Sequence, residues 1–367
     1  MNTAASSTEA ESFSFPPLRH NLEATVVVVG AGVAGLTAAL KLLRAGRSVV
    51  LLEPGRVGDR EREGTAHLTE LLDTHYQLIE SRFGFREASL TATSVRLAID
   101  CIERLAREVD CRFERVPAFL FAENETHRRE LQDEYDALKR VGARVSWLKQ
   151  PLPIPVAAAA RVDDQALLEP RAYVQALARR FVAEGGQLFE GTEVRNVDEE
   201  SPPCVVQTEH ATVLCRDVVI TIDRPGTRAF FPAGLQEETS PVIAAPFASE
   251  LPNGLYVDIR DPRASTHTAE RFGAVDTSAR RIVTSADGLP LIGRSSATSH
   301  VFIATGFGNA DVTFATVGAM LLNDSVRGVS NSLAELFDPA RSQPRQRAQR
   351  RNRSPVREMS NGSYVRH

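Results

Sequence analysis

The chain has 367 residues, with 43 lysines and arginines against 47 aspartates and glutamates, so its formal net charge is −4 at pH 7. A composition with 43% hydrophobic and 25% charged residues is typical of a globular protein of one large or two medium domains. It excludes a disordered chain, a collagen and a small disulfide scaffold. No stretch approaches the roughly 20 apolar residues that cross a bilayer, and the start has no apolar core of a secretory signal, so we expect a cytoplasmic protein.

Both ends of the chain are predicted to be disordered. Residues 1–20 are small and polar, and residues 339–367 carry eight arginines against one acidic side chain. With so little apolar surface, neither segment can repay the entropy of ordering. We expect the basic tail to be solvated or, alternatively, to contact an acidic partner such as nucleic acid or anionic lipid.

The first strong pattern is a strand, a helix and a second strand in succession. Thr25–Val29 is an unbroken β-branched run, typical of a strand that is buried on both faces. Val33–Ala45 predicts an apolar helix that ends at Gly46, and Ser48–Leu52 predicts another buried strand. Later patterns predict helices over Ala88–Leu105, Asn124–Leu138, Pro170–Ala183 and Thr313–Leu322, and strands over Val116–Phe121, Gln187–Phe189, Val205–Thr208, Val213–Cys215, Val218–Ile222 and Val301–Ala304.

The four cysteines show no spacing typical of metal ligands, so no metal site is predicted. A hairpin that turns at Thr208–Ala211 would place Cys204 opposite Cys215, within reach of a disulfide. In a reducing compartment the alternative, two small buried thiols, is favoured.

A glycine motif separates the first strand from the first helix. Gly30, Gly32 and Gly35 form G-x-G-x-x-G in the strand-to-helix context that makes this motif specific. Gly30 makes the tight turn, Gly32 lets the backbone approach a pyrophosphate, and Gly35 lets the helix pack on the strand. Glu53 ends the second strand, where a carboxylate accepts hydrogen bonds from a ribose diol and disfavours NADP. The motif, which includes Ala34, therefore predicts a dinucleotide site at the helix N-terminus.

The C-terminal part of the chain indicates which dinucleotide is bound. Asp287–Gly293, the strand Val301–Ala304 and Thr305–Phe307 together resemble the C-terminal signature of the FAD-dependent D-amino acid oxidase and glycine oxidase family. Gly64–Thr69 is similar to the segment that lines the flavin in that family, and Val194–Val197 to the strand that faces adenine. The resemblance is closest to a branch whose members sometimes carry a Rieske domain. No Cys-x-His pair of such a domain follows here.

The resemblance implies an α/β fold in which a Rossmann-type FAD-binding domain contains an inserted, shortened α+β substrate domain. Each domain is then assembled from separate stretches of the chain. The FAD-binding domain is expected over residues 22–80, 151–225 and 286–338, and the substrate domain over 81–150 and 226–285.

The resemblance also implies a reaction, a cofactor and a set of site residues. FAD would oxidise a C–N bond of a small amine or amino acid by taking a hydride at flavin N5. The catalytic residues implied are His67, Arg260 and Arg263, with an arginine holding a substrate carboxylate. The cofactor-binding residues implied are Gly30, Gly32, Ala34, Gly35, Glu53, Thr65, Ala66, Val194, Asp287, Gly288, Gly306, Phe307, Gly308 and Thr313.

Three features depart from the family pattern. Charged residues fill the loop Gly58–Gly64, where relatives have glycines; its arginines either clasp phosphate or are solvated. Asp311 is predicted to cap the last helix, where its charge would oppose an anionic reduced flavin. The stretch from Asp261 to Ala286 is shorter than in relatives.

These departures keep other functions open. The main alternative is a truncated, catalytically silent relative that retains the fold and acts as a binding protein. A lesser alternative is an NAD-dependent dehydrogenase.

Overall fold

The computed structural model describes residues 14–59, 61, 66–109, 111–149, 152–199, 203–240, 251–261, 265–267, 280–296, 298–308 and 310–342. Within these ranges the chain forms two large sheets with helices packed between them. The helices are α1 (Val33–Arg44), α2 (Tyr76–Phe83), α3 (Phe85–Arg107), α4 (Arg128–Arg140), α5 (Pro170–Ala183) and α6 (Asp311–Arg327).

The first sheet has eight strands and a parallel centre. Its strand order is β15-β16-β10-β1-β2-β7; β9 pairs with β10 and β8 with β9. All pairs from β16 to β7 are parallel, whereas β15 is antiparallel. This confirms the predicted α/β fold with a Rossmann-type sheet. The strands are β1 (Leu22–Val29), β2 (Val49–Leu52), β7 (Gln187–Phe189), β8 (Val194–Asp198), β9 (Cys204–Thr208), β10 (Thr212–Ile220), β15 (Leu291–Arg294) and β16 (Val301–Thr305).

The second sheet has six strands, in the order β13-β12-β4-β6-β3, with β5 also paired to β6. A separate two-stranded sheet joins β11 to β14. The strands are β3 (Ala66–Leu68), β4 (Glu114–Ala122), β5 (Val145–Trp147), β6 (Ala158–Leu168), β11 (Gln236–Ser240), β12 (Leu255–Asp258), β13 (Ser265–His267) and β14 (Arg280–Thr284).

One large apolar cluster joins the two sheets. It combines side chains of α1, α3, α5 and α6 with one face of each sheet. Because side chains alternate along a strand, Val26 and Val28 of β1 enter this cluster, whereas Val27 and Val29 enter a second cluster on the other face of the first sheet. The unbroken β-branched run therefore fills both faces, as the sequence predicts.

The domain boundary predicted near residue 151 is wrong. β6 pairs with β4 along its length, so residues 158–168 belong to the second sheet. β3, predicted within the nucleotide domain, also pairs with β6. The charged residues Arg161, Asp163 and Asp164 interrupt the apolar pattern of β6. Local periodicity therefore does not predict this strand.

Several element predictions agree closely with the structure. Pro170 is the first residue of α5. Cys204 and Cys215 lie opposite each other in the β9–β10 hairpin, and both are buried free thiols. The two strands predicted over Val213–Cys215 and Val218–Ile222 form the single strand β10, because backbone pairing to β1 continues through both segments.

Disorder was predicted for residues 1–20 and 339–367, and this prediction is wrong for the residues of each segment that adjoin the fold. Leu18 is fully buried, and its N–H donates to Thr192 Oγ1 at 3.0 Å. At the other end, Pro339–Ser342 forms a helical turn, and the Arg341 guanidinium donates to Asp287 at 2.9 Å. Apolar burial and an ion pair thus order residues that look polar in the sequence. Residues 1–13 and 343–367, which include most of the basic tail, lie outside the described residues.

We predict that Leu18 contributes to stability as a core residue. Leu18→Ala should lower the free energy of unfolding by about 2–4 kcal/mol, because the side chain is fully buried. Leu78→Ala, at an exposed position of α2, is the control and should cost less than about 1 kcal/mol. Denaturant unfolding measures both; equal effects would contradict the packing of this segment.

Candidate functional site

The glycine motif forms the turn between β1 and α1. Gly30 has φ +106°, and a Cβ there would lie 2.5 Å from Ile222 Cγ2. A Cβ at Gly35 would lie 1.8 Å from the carbonyl oxygen of Gly30. Sterics therefore require hydrogen at both positions, which is what the sequence predicts for the tight turn and the close helix packing.

The helix α1 starts directly after the glycine turn. Gly32 is the N-cap residue, and it has no side chain that could cap the helix. Its first N–H groups therefore lack acceptors within the helix, and Val33, Ala34 and Gly35 lie in this first turn. Among the described residues, a Cβ on Gly32 would meet the Glu61 carboxylate, at 3.2 Å.

Glu53 lies beside this turn at the carboxyl end of β2. It is almost fully buried, and its oxygens accept hydrogen bonds from the N–H of Ala31 at 2.7 Å and of Gly55 at 3.0 Å. The Thr192 N–H donates to the Glu53 carbonyl, which brings the start of β8 and Val194 to the same edge of the sheet. The structure thus brings together the glycine turn, Glu53 and Val194.

A second glycine turn precedes α6. Gly306 and Gly308 have φ of +78° and +60°, and Phe307 between them forms a bridge to Thr284. The Gly308 N–H donates to the Val283 carbonyl at 3.0 Å. We call residues 306–308 the α6 turn.

The first turn of α6 carries a buried hydroxyl group. Thr313 is fully buried, and its Oγ1 has no hydrogen-bond partner among the described residues. The predicted cap is wrong: Ala310 is the N-cap, and Asp311 is the first helical residue, with Oδ1 accepting from the Val312 N–H at 2.8 Å. Helix geometry begins one residue earlier than the side chain suggests.

The Asp287 carboxylate is hydrogen-bonded to other groups of the protein. It accepts from Ser285 Oγ at 2.8 Å, from the Leu289 N–H at 3.1 Å and from Arg341 at 2.9 Å. Burial raises the pKa of Asp287, but the Arg341 guanidinium and these hydrogen bonds outweigh it and leave the pKa below its ordinary value. The neighbouring Gly288 has φ +79° and contacts Thr74, so this turn joins separate segments of the chain.

The predicted catalytic residues do not converge. His67 is half-buried on β3, opposite Leu167 of β6, which in turn faces the first residue of β4. Arg260 follows Ile259, whose N–H donates to the carbonyl of Phe121 near the last residue of β4. Arg260 therefore lies about 23 Å from His67 along the strand direction. Its exposed guanidinium contacts His127 Nε2 at 2.6 Å and Glu130 at 3.9 Å.

A shared role for Arg260 and His67 is therefore wrong. The distance between these two residues exceeds the length of a small amine or amino acid, so both cannot contact one substrate molecule. Ala66, next to His67, faces the apolar cluster against α6. Thr65 and Arg263 lie outside the described residues, as do the loop arginines at positions 60 and 62 and most of the stretch from 262 to 279.

The segment between β3 and α2 was missed by the sequence analysis. Asp73 lies against Gly308, where a Cβ would be 2.6 Å from Oδ2, and Thr74 lies against Gly288. The segment therefore packs on both C-terminal glycine turns. Polar residues in a connecting segment carry no periodic signal, so only the tertiary structure shows this contact.

Glu134 holds the start of α2 that follows this segment. Its buried carboxylate accepts from the N–H groups of Tyr76 at 2.9 Å and Gln77 at 3.1 Å. Burial raises the pKa of Glu134 from 4.5 to about 7, against the smaller lowering effect of these two hydrogen bonds. Across the described ranges, no three His, Cys, Asp or Glu residues are grouped as a metal site, and no helix is long and apolar enough to cross a membrane.

Comparison with known proteins agrees with this geometry. The family model described as FAD dependent oxidoreductase, DAO, matches residues 25–234. The protein YhfW of Bacillus subtilis, described as a Rieske 2Fe-2S iron-sulfur protein, is 28% identical over 378 residues, which cover 89% of this chain and 73% of YhfW.

Two solved structures share the fold. Glycine oxidase from Geobacillus kaustophilus superposes with a TM-score of 0.68 at 18% identity, covering 86% of this chain and 98% of that one. L-proline dehydrogenase from P. horikoshii gives 0.70 at 16% identity, covering 88% and 98%. The chain belongs to the DAO family of FAD-dependent oxidoreductases, and the predicted resemblance is confirmed.

We predict that the stability of this region depends on pH through Glu134. Because its pKa is raised on folding, its contribution to stability is full below pH 4.5 and is lost as the pH rises through about 7. Glu134→Gln should reduce the fall in unfolding free energy across this range by up to about 3 kcal/mol. Glu130→Gln, exposed on the same helix, is the control; identical slopes in all three proteins would contradict the prediction.

Proposed function

We propose that this chain binds FAD between the N-termini of α1 and α6 and oxidises a C–N bond of an amine or amino acid. The observation that carries the proposal is the glycine turn at the N-terminus of α1 beside the buried Glu53. An anion acceptor and a ribose acceptor at one sheet edge are what a dinucleotide needs. Membership of the DAO family supports FAD as the dinucleotide.

The adenylate half of FAD fits the residues present. Gly32 has no Cβ, so its backbone can approach a diphosphate; among the described residues the atom nearest to that Cβ position is a Glu61 carboxylate oxygen, which a diphosphate would displace. Glu53 uses one lone pair of each oxygen for a backbone N–H and retains capacity for ribose hydroxyls. Val194, at the start of β8, would face the adenine.

The flavin half would lie toward the α6 turn. The unpaired Thr313 hydroxyl and the first N–H groups of α6 other than that of Val312 would be donors for a carbonyl oxygen of the ring. When bound there, FAD would supply the oxidising power by accepting a hydride from the substrate at N5. The charge of Asp311 in the same turn disfavours a negative ring, which would lower the redox potential of the flavin.

His67 is the predicted catalytic residue that we assign to this site. It lies on β3, directly after the loop expected to line the flavin, and its strand packs against α6. We assign it to orienting the substrate nitrogen. A neutral amine can expel a hydride without a general base, so orientation is the contribution required of the side chain.

A catalytically silent binding protein is the second candidate. The Glu61 carboxylate near Gly32 favours it, because a negative charge there opposes a diphosphate. The two candidates differ in one measurement: purified protein loaded with FAD is mixed anaerobically with glycine, proline or simple amines. Bleaching of the visible flavin absorption is expected for the enzyme; stable bound flavin with no bleaching by any of these would support the silent relative.

We predict that two glycines of the motif fail in different ways. Gly32→Ala should fold normally and bind FAD about 10-fold more weakly or worse, because its Cβ enters the diphosphate space. Gly35→Ala should lower the unfolding free energy by about 3 kcal/mol, because its Cβ overlaps the Gly30 carbonyl. Circular dichroism, unfolding and FAD titration separate the two effects. Unchanged FAD affinity in Gly32→Ala would place the diphosphate elsewhere.

A further inference from the structure

The first described residues of the chain lie against the edge of the sheet that carries Glu53. We call residues 14–18, which precede β1, the N-terminal strap. The Leu18 N–H donates to Thr192 Oγ1 at 3.0 Å, and the Thr192 N–H donates to the Glu53 carbonyl at 2.9 Å. A single buried threonine therefore joins the strap to the residue that is proposed to bind the ribose.

A buried glutamate makes a second connection between the same parts of the chain. Glu190 is 6% exposed, and its two carboxylate oxygens accept from the N–H of Phe15 at 2.9 Å and of Val57 at 2.8 Å. Phe15 lies in the strap, and Val57 lies in the loop that follows Glu53. A buried carboxylate is costly unless donors satisfy its oxygens, and here a backbone N–H satisfies each of them. Glu190 therefore holds the strap and the loop in one arrangement.

The loop in turn holds the side chain of Glu53. Gly55, two residues before Val57, donates its N–H to Glu53 Oε1 at 3.0 Å. The Gly55 carbonyl accepts from the Gly191 N–H at 3.1 Å, so Gly55 is bonded both to Glu53 and to the residue after Glu190. A shift of Val57 away from Glu190 would move the Gly55 N–H and rotate the carboxylate that it holds. The orientation of Glu53 thus depends on a side chain that is distant in the sequence.

We propose that Glu190 is a positioning residue for Glu53, and that through it the N-terminal strap sets how tightly the protein binds the ribose of FAD. The proposal rests on the proposed function, because it assumes that Glu53 accepts hydrogen bonds from the ribose hydroxyls. Glu190 acts through the loop of Gly55 and Val57 and not by contact with the nucleotide. A carboxylate that is already held in place loses less conformational freedom when the hydroxyls bind.

Thermodynamic linkage makes the same coupling measurable in the opposite direction. If the strap and Glu190 favour binding of the ribose, then binding of the ribose favours the ordered strap by an equal factor. The N–H groups of Phe15 and Leu18 donate to Glu190 and Thr192, so their rates of hydrogen exchange report this order.

The test compares two adenylates that differ only in the ribose diol. ADP carries both ribose hydroxyls, and 2′,3′-dideoxy-ADP carries neither. Each probe competes with FAD on the full-length, FAD-loaded protein, and the fluorescence of the released FAD gives the dissociation constant of the probe. The ratio of the two constants is independent of the FAD affinity of a variant. The wild type is expected to bind ADP about 10- to 100-fold more tightly than the dideoxy probe, the size of hydrogen bonds to a charged group.

Substitutions then assign the preference for the diol to Glu190. Glu190→Gln keeps the length of the side chain but replaces one acceptor oxygen by an amide group, so one backbone N–H loses its partner. ADP should bind about 10-fold more weakly, and dideoxy-ADP within about 2-fold of the wild type. Thr192→Val, which removes the acceptor of the Leu18 N–H, should lower the preference in the same direction. Glu193→Gln changes a partly exposed acid paired with Arg195 at 2.8 Å; it is the matched control and should keep the wild-type constants.

Equal weakening of ADP and dideoxy-ADP by Glu190→Gln would overturn the inference, because a merely structural role acts on both probes alike. An unchanged ADP affinity would overturn it as well. If Glu190→Gln does not fold, Thr192→Val is judged by the same two criteria.

Hydrogen exchange of the wild type gives a second answer that needs no variant. At saturating concentrations of each probe, slower exchange of the Phe15 and Leu18 N–H groups with ADP than with dideoxy-ADP supports the coupling, and equal exchange overturns it. These failures leave the proposed FAD site standing. A wild type that binds neither FAD nor ADP would instead remove the proposed function.

Discussion

The close approach of α1 to the end of β1 is the contact on which the rest of the structure depends. The carbonyl of Gly30 occupies the place where a side chain at position 35 would begin, so only glycine lets the helix start there. This approach directs the positive end of α1 at the carboxyl edge of the parallel sheet. Glu53, held by the Ala31 and Gly55 N–H groups, completes that edge.

Helices shared between two sheets bring distant segments to this edge. α6 packs on α1 and follows the α6 turn, while the chain after β2 leaves the first sheet and pairs as β3 in the second. The short strand β3 therefore turns Ala66 toward the helices and His67 toward the opposite face. Register across the second sheet, from β3 through Leu167 of β6 to β4, therefore fixes which residues stand beside His67.

Polar groups around the two C-terminal glycine turns mainly hold the scaffold in place. Asp287 accepts from Arg341, whose segment looks like the start of a disordered tail in the sequence. Glu134 holds α2 by its first N–H groups and thereby fixes the segment that contains Asp73 and Thr74. Buried acids in this region thus position backbone, whereas Thr313 Oγ1 at the start of α6 is buried without a hydrogen-bond partner among the described residues.

Local patterns were sufficient for the strand-helix-strand start, the glycine motif, Glu53 and the start of α5 at Pro170. These features depend on residues close together in the chain, where periodicity, steric demand and capping act directly. The sequence could not reveal that β6 joins the second sheet or that Arg260 and His67 lie at opposite ends of β4. Each of these depends on which distant strands pair and in what register, and that choice is made by burial of side chains across the whole fold.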